Sequence, residues 1–195
     1  MKVIQTALPG VLIIEPKVFG DHRGFFLETY SEERYREAGI PHRFVQANHS
    51  RSRQGVLRGL HYQLIQTQGK LVSVSRGRVF DVAVDVRLGS PTFGQWVSCI
   101  LDDETHRQMY VPPGFAHGFA VLSEEADFLY QCTDYYHPQS EVGIAYNDPD
   151  LAIDWPEMDY ALSDKDLKNP FLKDLAADRL PVYEAESEVI IFKTH

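Results

Sequence analysis

The segment from 55 to 70 carries three side chains that could do chemistry, on what the sequence predicts to be two consecutive strands. Arg58 offers a permanently charged fork that suits a phosphate or carboxylate, His61 can change its protonation near neutral pH, and Lys70 is a compact cation. Burying Arg and His among apolar residues without partners is costly, so a purely structural strand rarely carries them. The segment therefore predicts an anion-binding site with acid–base capacity. A hydrogen-bonded structural histidine is the alternative for His61.

The spacing of Arg58 and His61 raises a geometric problem. Side chains of a regular strand alternate between faces, so two residues three positions apart point to opposite sides of the sheet. Gly59 lies between them. A bulge or bend at this glycine would aim both side chains into one cavity, and we expect one there.

Four residues outside this segment are further candidates. His117 follows the rigid Pro-Pro-Gly turn at 112–114, and a structural turn with a partly exposed histidine is its alternative role. Tyr130 could donate a proton and Tyr136 could stack on a ring, and both share one face if the strand continues to 136; core packing is the alternative. Asp166 begins a predicted helix, where capping is its simplest role.

Metal and cofactor binding are disfavoured by the spacing of possible ligands. His61 is followed by Tyr62-Gln63 rather than by a second histidine two residues on, and His117 is isolated. Cys99 and Cys132 lie in separate apolar runs and are expected to be reduced core residues. The sequence also lacks a glycine-rich phosphate loop, a dinucleotide fingerprint and a Gly-x-Ser-x-Gly nucleophile motif. We predict no metal and no cofactor.

The elements that must position these residues are mainly short strands separated by Gly, Pro and Asn. Their number and spacing predict a mostly β fold, an antiparallel sandwich or barrel with a few short helices. Within 80–86 apolar residues alternate, which predicts that one face is core. Strands are expected at 11–15, 25–30, 45–50, 55–63, 70–76, 78–87, 95–101, 108–111, 116–122, 126–133 and 189–192, and helices at 31–38 and 167–177.

Length and composition narrow the class of protein. The 195 residues, of which 44% are hydrophobic, fit a single domain spanning 1–195. A net charge of -9 argues against nucleic acid and anionic membranes as partners. No apolar run is long enough to span a bilayer and no leader pattern is present, so we expect no membrane insertion and a cytoplasmic protein.

Taken together, six blocks of the sequence resemble, in order, the dTDP-4-dehydrorhamnose 3,5-epimerase family, and the match runs over nearly the whole chain. The blocks are Asp21-His22-Arg23-Gly24-Phe25-Phe26, Gly55-Val56-Leu57-Arg58-Gly59-Leu60-His61-Tyr62-Gln63, Gln68-Gly69-Lys70-Leu71, Val111-Pro112-Pro113-Gly114-Phe115-Ala116-His117-Gly118-Phe119, the segment 130–138, and Leu162-Ser163-Asp164-Lys165-Asp166.

The resemblance implies a cupin-type antiparallel β-barrel, or jelly roll, that forms a homodimer and works without metal or organic cofactor. It implies dTDP-4-dehydro-6-deoxy-D-glucose as substrate, inverted at C3 and C5 to dTDP-4-dehydro-L-rhamnose on the route to dTDP-L-rhamnose and cell-surface polysaccharide. Removing a proton beside the C4 ketone and returning it from the other face requires a base, an acid and a group that stabilises the enolate oxygen.

The resemblance also implies roles for individual residues. His61 is the base, Asp166 pairs with it and favours its protonated form, Tyr130 is the acid, and Lys70 is our candidate for the enolate oxygen. Tyr136 would stack on the thymine. The remaining binding residues that carry over are Arg23, Glu28, Gln46, Asn48, Arg58, Lys70, His117, Glu141 and Lys165.

Some alternatives stay open. In a dimer, Arg23 and Glu28 could come from the neighbouring subunit. The segment 62–67 is more apolar than the family's usual turn, which leaves the placement of Lys70 open. A sibling enzyme that epimerises only C3, a sugar-nucleotide-binding cupin without catalysis, and a metal-dependent cupin are the rival functions.

Overall fold

Short segments rich in β-branched and aromatic residues form two antiparallel sheets. The computed structural model of the chain describes residues 1–184. The strands are β1 (Lys2–Gln5), β2 (Leu12–Glu15), β3 (Val18–Asp21), β4 (Gly24–Leu27), β5 (Gln46–Arg53), β6 (Leu57–Gln63), β7 (Lys70–Arg76), β8 (Arg78–Asp85), β9 (Trp96–Asp102), β10 (Gln108–Val111), β11 (Phe115–Val121), β12 (Glu125–Cys132) and β13 (Glu141–Gly143). One sheet has the order β1-β2-β10-β7-β12-β5, the other has the order β13-β6-β11-β8-β9, and β3 and β4 form a separate hairpin.

The inward faces of the two sheets share one hydrophobic core. Val72 and Phe128 of the six-stranded sheet belong to the same buried cluster as Ala83 and Phe119 of the five-stranded sheet. Two antiparallel sheets packed in this way form a jelly roll. The predicted mostly β, antiparallel fold is confirmed; over residues 1–184 the two sheets keep separate edges and do not close into one continuous barrel.

Strand β8 is buried on both faces, so the expectation of a single core face was wrong. Asp81 and Ala83 point between the sheets, whereas Val82 and Val84 point outward. The outward side chains are covered because the chain after β13 folds back across the five-stranded sheet and buries Leu172 against them. This returning segment is also the one that carries Asp166.

The helix expected at 167–177 is not formed. In its place are three short 3-10 helices, Asp166–Lys168, Leu172–Asp174 and Ala177–Arg179. Pro170 explains the break, because proline cannot continue the hydrogen-bond ladder and pushes the residue before it into an extended conformation. Asn169 has ψ of 137° accordingly.

The earlier helix prediction is confirmed by α1 (Glu32–Glu37), whose only buried side chain, Tyr35, packs on the outer face of the six-stranded sheet. Strands β1, β3 and β13 were not predicted. The strand expected at 189–192 lies outside the described residues. Within residues 1–184 no helix is long and apolar enough to cross a membrane.

Candidate active site

A cavity of about 580 Å³ opens between the two sheets and collects most of the predicted site residues. Its walls come from β5, β7 and β12 of one sheet, from β6, β11 and β13 of the other, and from the segment after β13. The predicted residues that line it are Gln46, Asn48, Arg58, His61, Lys70, His117, Tyr130, Tyr136, Glu141, Lys165 and Asp166.

A bulge at Gly59 turns Arg58 and His61 into this cavity together. His61 pairs with His117 and Arg58 pairs with Phe119, so β6 has one residue more than β11 between the two pairs. Gly59 has φ of 114°, and a Cβ there would lie 2.6 Å from the carbonyl oxygen of His117. Only glycine fits this position, which confirms the expected irregularity.

His61 and Asp166 form a close pair in the cavity wall. His61 Nε2 lies 2.6 Å from Asp166 Oδ1. Although burial by itself raises the pKa of the Asp166 carboxyl, hydrogen bonding and attraction from His61 outweigh it and leave that pKa below its usual value. The ionised carboxylate accepts the Nε2–H and leaves the other ring nitrogen able to take a proton.

The backbone around Asp166 fixes the direction of its carboxylate. Its own N–H donates to Ser163 Oγ at 3.1 Å, and the backbone N–H of Gly59 contributes to lowering the pKa of the carboxyl. Asp166 does start a helical turn, as the sequence indicated, but its side chain is directed to His61. Gly59 thus positions both members of the pair: its bulge directs His61 into the cavity, and its backbone N–H interacts with the Asp166 carboxylate.

Tyr130 and Lys70 stand on the opposite sheet from His61. Tyr130 lies on β12 and Lys70 opens β7, whereas His61 lies on β6. Burial raises the pKa of the Tyr130 hydroxyl, which therefore keeps its proton at neutral pH. Burial lowers the pKa of the Lys70 ammonium. The placement of Lys70, open from the sequence, is in the cavity wall.

His117 is buried rather than partly exposed as its structural alternative assumed. Its Nε2 lies 3.0 Å from both carboxylate oxygens of Asp81, which has no exposed surface. Burial raises the pKa of the Asp81 carboxyl, while His117 opposes the shift. Sequence reasoning did not identify Asp81 as a site residue. The available signal was that this acidic residue shares a strand face with Ala83, which is buried.

The mouth of the cavity is built around Glu141. Lys165 forms an ion pair with Glu141, and the Tyr136 hydroxyl donates to the same carboxylate at 3.3 Å. The backbone N–H of Tyr136 donates to Gln46 Oε1 at 3.0 Å. Strand β12 ends at Cys132, close to the predicted end at 133, so the condition that would have put Tyr136 on the strand is not met. Tyr136 reaches the cavity from a loop.

Two predicted binding residues lie outside the cavity of their own chain. Arg23 is exposed at the turn between β3 and β4, where it pairs with Asp21. Glu28 follows β4 and pairs with Arg34 of α1.

The apolar side of the cavity was not predicted as part of the site. Phe119 and Phe128 stack there with ring centroids 3.9 Å apart, one from each sheet. Their only sequence signal is strand alternation, which marks a core position as readily as a cavity wall. Within residues 1–184 no cluster of three or more His, Cys, Asp or Glu side chains is arranged to hold a metal ion.

Known proteins resemble this chain over nearly its whole length. A family model described as dTDP-4-dehydrorhamnose 3,5-epimerase matches residues 5–174. The protein of that name from Pseudomonas aeruginosa is 57% identical over 183 residues, which are 93% of this chain and 100% of the relative.

Solved structures extend the likeness to the fold. The dTDP-6-deoxy-D-glucose-3,5-epimerase RmlC from Legionella pneumophila, in complex with dTDP-4-keto-L-rhamnose, is 60% identical and has a TM-score of 0.92; the match covers 94% of this chain and 99% of that one. ChmJ, a 3'-monoepimerase from Streptomyces bikiniensis in complex with dTDP-quinovose, is 36% identical with a TM-score of 0.85, over 91% of this chain and 92% of that one.

The family match and the identity to curated relatives both far exceed what a shared fold alone produces. This chain belongs to the dTDP-4-dehydrorhamnose 3,5-epimerase family.

Proposed function

We propose that this chain is the isomerase that inverts C3 and C5 of dTDP-4-dehydro-6-deoxy-D-glucose and yields dTDP-4-dehydro-L-rhamnose. The observation that carries the proposal is that His61, paired with Asp166, lies on one sheet and Tyr130 lies on the other, across one cavity. A relative that is 60% identical was solved with dTDP-4-keto-L-rhamnose.

The two-sided arrangement suits inversion at a carbon beside a ketone. His61 removes the proton from one face of the sugar ring, and the electron pair moves onto the C4 oxygen as an enolate. Tyr130 then returns a proton from the opposite face. Asp166 orients the His61 ring and stabilises the imidazolium that forms, as a buried carboxylate does for other catalytic histidines.

The enolate oxygen requires a cation or a hydrogen-bond donor. Lys70 supplies a positive charge from the wall that also carries Tyr130, and His117, held by Asp81, supplies a further polar group. Fixed charges in a site that excludes water are worth more than the same charges in solution. Since this chemistry needs only the ketone as electron sink, the reaction runs without metal or organic cofactor.

The nucleotide is held at the cavity mouth. Arg58 offers its guanidinium to the diphosphate, Lys165 adds a second cation, and Tyr136 stacks on the thymine. Gln46, Asn48 and Glu141 complete the polar wall on this side. A local cluster of cations is necessary because the whole chain carries a net charge of -9.

The functional unit is a homodimer in which each cavity receives Arg23 and Glu28 from the other subunit. Arg23 lies in the turn of the β3–β4 hairpin and Glu28 follows its second strand, both outside the cavity of their own chain. The hairpin exposes Phe19, Phe25 and Phe26 with relative exposures of 52%, 62% and 69%, which is unusual for side chains that remain in water. We place the dimer in the cytoplasm, in keeping with the two free cysteines.

An epimerase acting at C3 alone is the second candidate, because the 3'-monoepimerase ChmJ shares the fold at 36% identity. Proton NMR of the substrate in deuterated water, with a reductase to trap the product, separates the two. Exchange at C3 and C5 with trapped L-rhamnose supports the 3,5-epimerase. Exchange at C3 alone would support the second candidate, and no exchange would reject both in favour of a binding protein.

A further inference from the structure

Arg58 is held from behind by a buried serine. Arg58 Nε donates to Ser52 Oγ at 3.1 Å, and Ser52 is only 7% exposed. Ser52 lies on β5 of the six-stranded sheet and Arg58 on β6 of the five-stranded sheet, so the bond crosses from one sheet to the other. We propose that Ser52 is a positioning residue that aims the Arg58 guanidinium at the substrate diphosphate.

The partner at Nε is neutral, which distinguishes Arg58 from Arg51 and Arg87. Arg51 and Arg87 are each bound by both oxygens of a carboxylate, from Asp127 and Asp85, and that pairing neutralises them. Among residues 1–184 no carboxylate forms an ion pair with Arg58. A hydroxyl fixes the direction of the guanidinium while its full positive charge remains available to an anion.

The atom that Ser52 binds also matters. A guanidinium recognises phosphate through two parallel N–H groups. With Nε occupied by Ser52, both Nη groups remain for the ligand. Restricting a long side chain before binding reduces the conformational entropy lost when the ligand arrives. Ser52 therefore acts on diphosphate affinity through Arg58 and without touching the sugar.

A matched pair of substitutions tests this role. Ser52→Val keeps a β-branched side chain of the same shape as Ser52→Thr but lacks the hydroxyl. We expect Ser52→Val to raise the Kd for dTDP, measured by calorimetry, by about fivefold to tenfold, since the net free energy of a typical intramolecular hydrogen bond is of this order. Ser52→Thr should stay close to wild type. Ser98→Ala, an exposed serine of β9 at the far edge of the five-stranded sheet, is the control for serine loss.

Three readouts separate positioning from a structural role. Thymidine, which lacks the phosphates, should bind wild type and Ser52→Val equally; an equal loss for both ligands would overturn the proposal. KM for the sugar nucleotide should rise with little change in kcat. Thermal melts show whether each variant is folded, and if Ser52→Val is not, Ser52→Ala replaces it with the same expectations.

The inference rests on the proposed role of Arg58 in binding the diphosphate, and a double-mutant cycle keeps the two apart. In the Arg58→Ala background, Ser52→Val should have no further effect on the Kd for dTDP. If Arg58→Ala weakens dTDP binding and the two substitutions add independently, only the positioning role of Ser52 is overturned. If Arg58→Ala leaves dTDP binding unchanged, the proposed role of Arg58 fails first, and that of Ser52 fails with it.

Discussion

His61 Nε2 and Asp166 Oδ1 are 2.6 Å apart although 105 positions of sequence separate the two residues. The contact joins a strand of the five-stranded sheet to the first 3-10 helix of the segment that returns across it. The proposed base is thus assembled by the fold rather than by a local motif, and its loss should be visible as a loss of proton exchange at single carbon atoms.

Replacing His61 by Ala should abolish proton exchange at both C3 and C5, because one base serves both positions. General base catalysis contributes about 10²-fold to 10⁴-fold, so the exchange rate should fall by at least about 10²-fold, which leaves no exchange on the timescale of the wild-type assay. Proton NMR in deuterated water measures it directly. Proton exchange at a near wild-type rate in His61→Ala would exclude His61 as the base. The Asp166→Asn variant should lose part of the exchange rate and keep its affinity for dTDP.

Replacing Tyr130 by Phe should slow inversion more than exchange. The ring still packs beside Phe128, whereas the hydroxyl that burial keeps protonated is lost. Deuterium should therefore still enter from the His61 side while the trapped L-rhamnose falls by about 10²-fold. If product formation is indifferent to this substitution, another group is the acid.

Lys70→Met should make the protein more stable and less active. Burial lowers the pKa of Lys70 in the folded state, because the charged ammonium is less well solvated there than in the unfolded chain. Keeping Lys70 charged therefore lowers the free energy of unfolding. The penalty is complete below the folded pKa and disappears as the pH rises to the unfolded value near 10.5.

The Tm advantage of Lys70→Met over wild type should accordingly be largest at neutral pH and shrink toward pH ~10. Its kcat should fall by about 10²-fold or more if the ammonium stabilises the enolate oxygen. Lys173→Met, at an exposed lysine paired with Asp150, is the control and should show no comparable gain in Tm. A variant with unchanged kcat would take Lys70 out of the reaction.

Mixing two inactive variants should restore activity if Arg23 acts in the neighbouring subunit. Arg23→Ala lacks the contributed arginine, and His61→Ala lacks the base. After unfolding and refolding together, half of the dimers are mixed, and each mixed dimer has one complete site. We expect about a quarter of wild-type activity, a value that follows from the two-fold symmetry of the dimer. No recovery would place Arg23 with its own cavity or outside the site.

Removing metal ions should leave turnover unchanged. The proposed steps use only His61, Tyr130 and Lys70 on a substrate that carries its own electron sink, so dialysis against EDTA should not lower kcat. Metal analysis of the purified protein accompanies the assay. Activity that is lost on chelation and returns with one added divalent metal would contradict the mechanism and favour the metal-dependent rival.

Local sequence predicted what depends on near neighbours. Alternation of apolar and polar residues was enough to find most strands. The three-residue spacing of Arg58 and His61, which puts them on opposite faces of a regular strand, was enough to predict the bulge at Gly59. The helix expected at 167–177 followed from the helix-start signal at 163–166, and it failed because Pro170 lies inside it. In the structure the backbone effect prevails.

Contacts across the chain were not predictable in the same way. Asp166 had a satisfactory local explanation as a cap, and only the resemblance pointed to His61. Asp81 and Ser52 gave no sign of their partners, since alternation tells which face a residue occupies and not what stands opposite. The site depends on such long-range pairs, so the residues alone supported only an anion-binding, acid–base pocket.

Lys165 and Asp166 are consecutive, yet one lies at the cavity mouth and the other against His61. In the proposed mechanism a single peptide unit therefore links recognition of the nucleotide to alignment of the base. Part of the free energy of dTDP binding can then be used to hold the His61 ring in its reactive orientation. Parts of a substrate remote from the reacting carbon raise turnover in this way. A sugar stripped of its nucleotide would lose kcat as well as affinity.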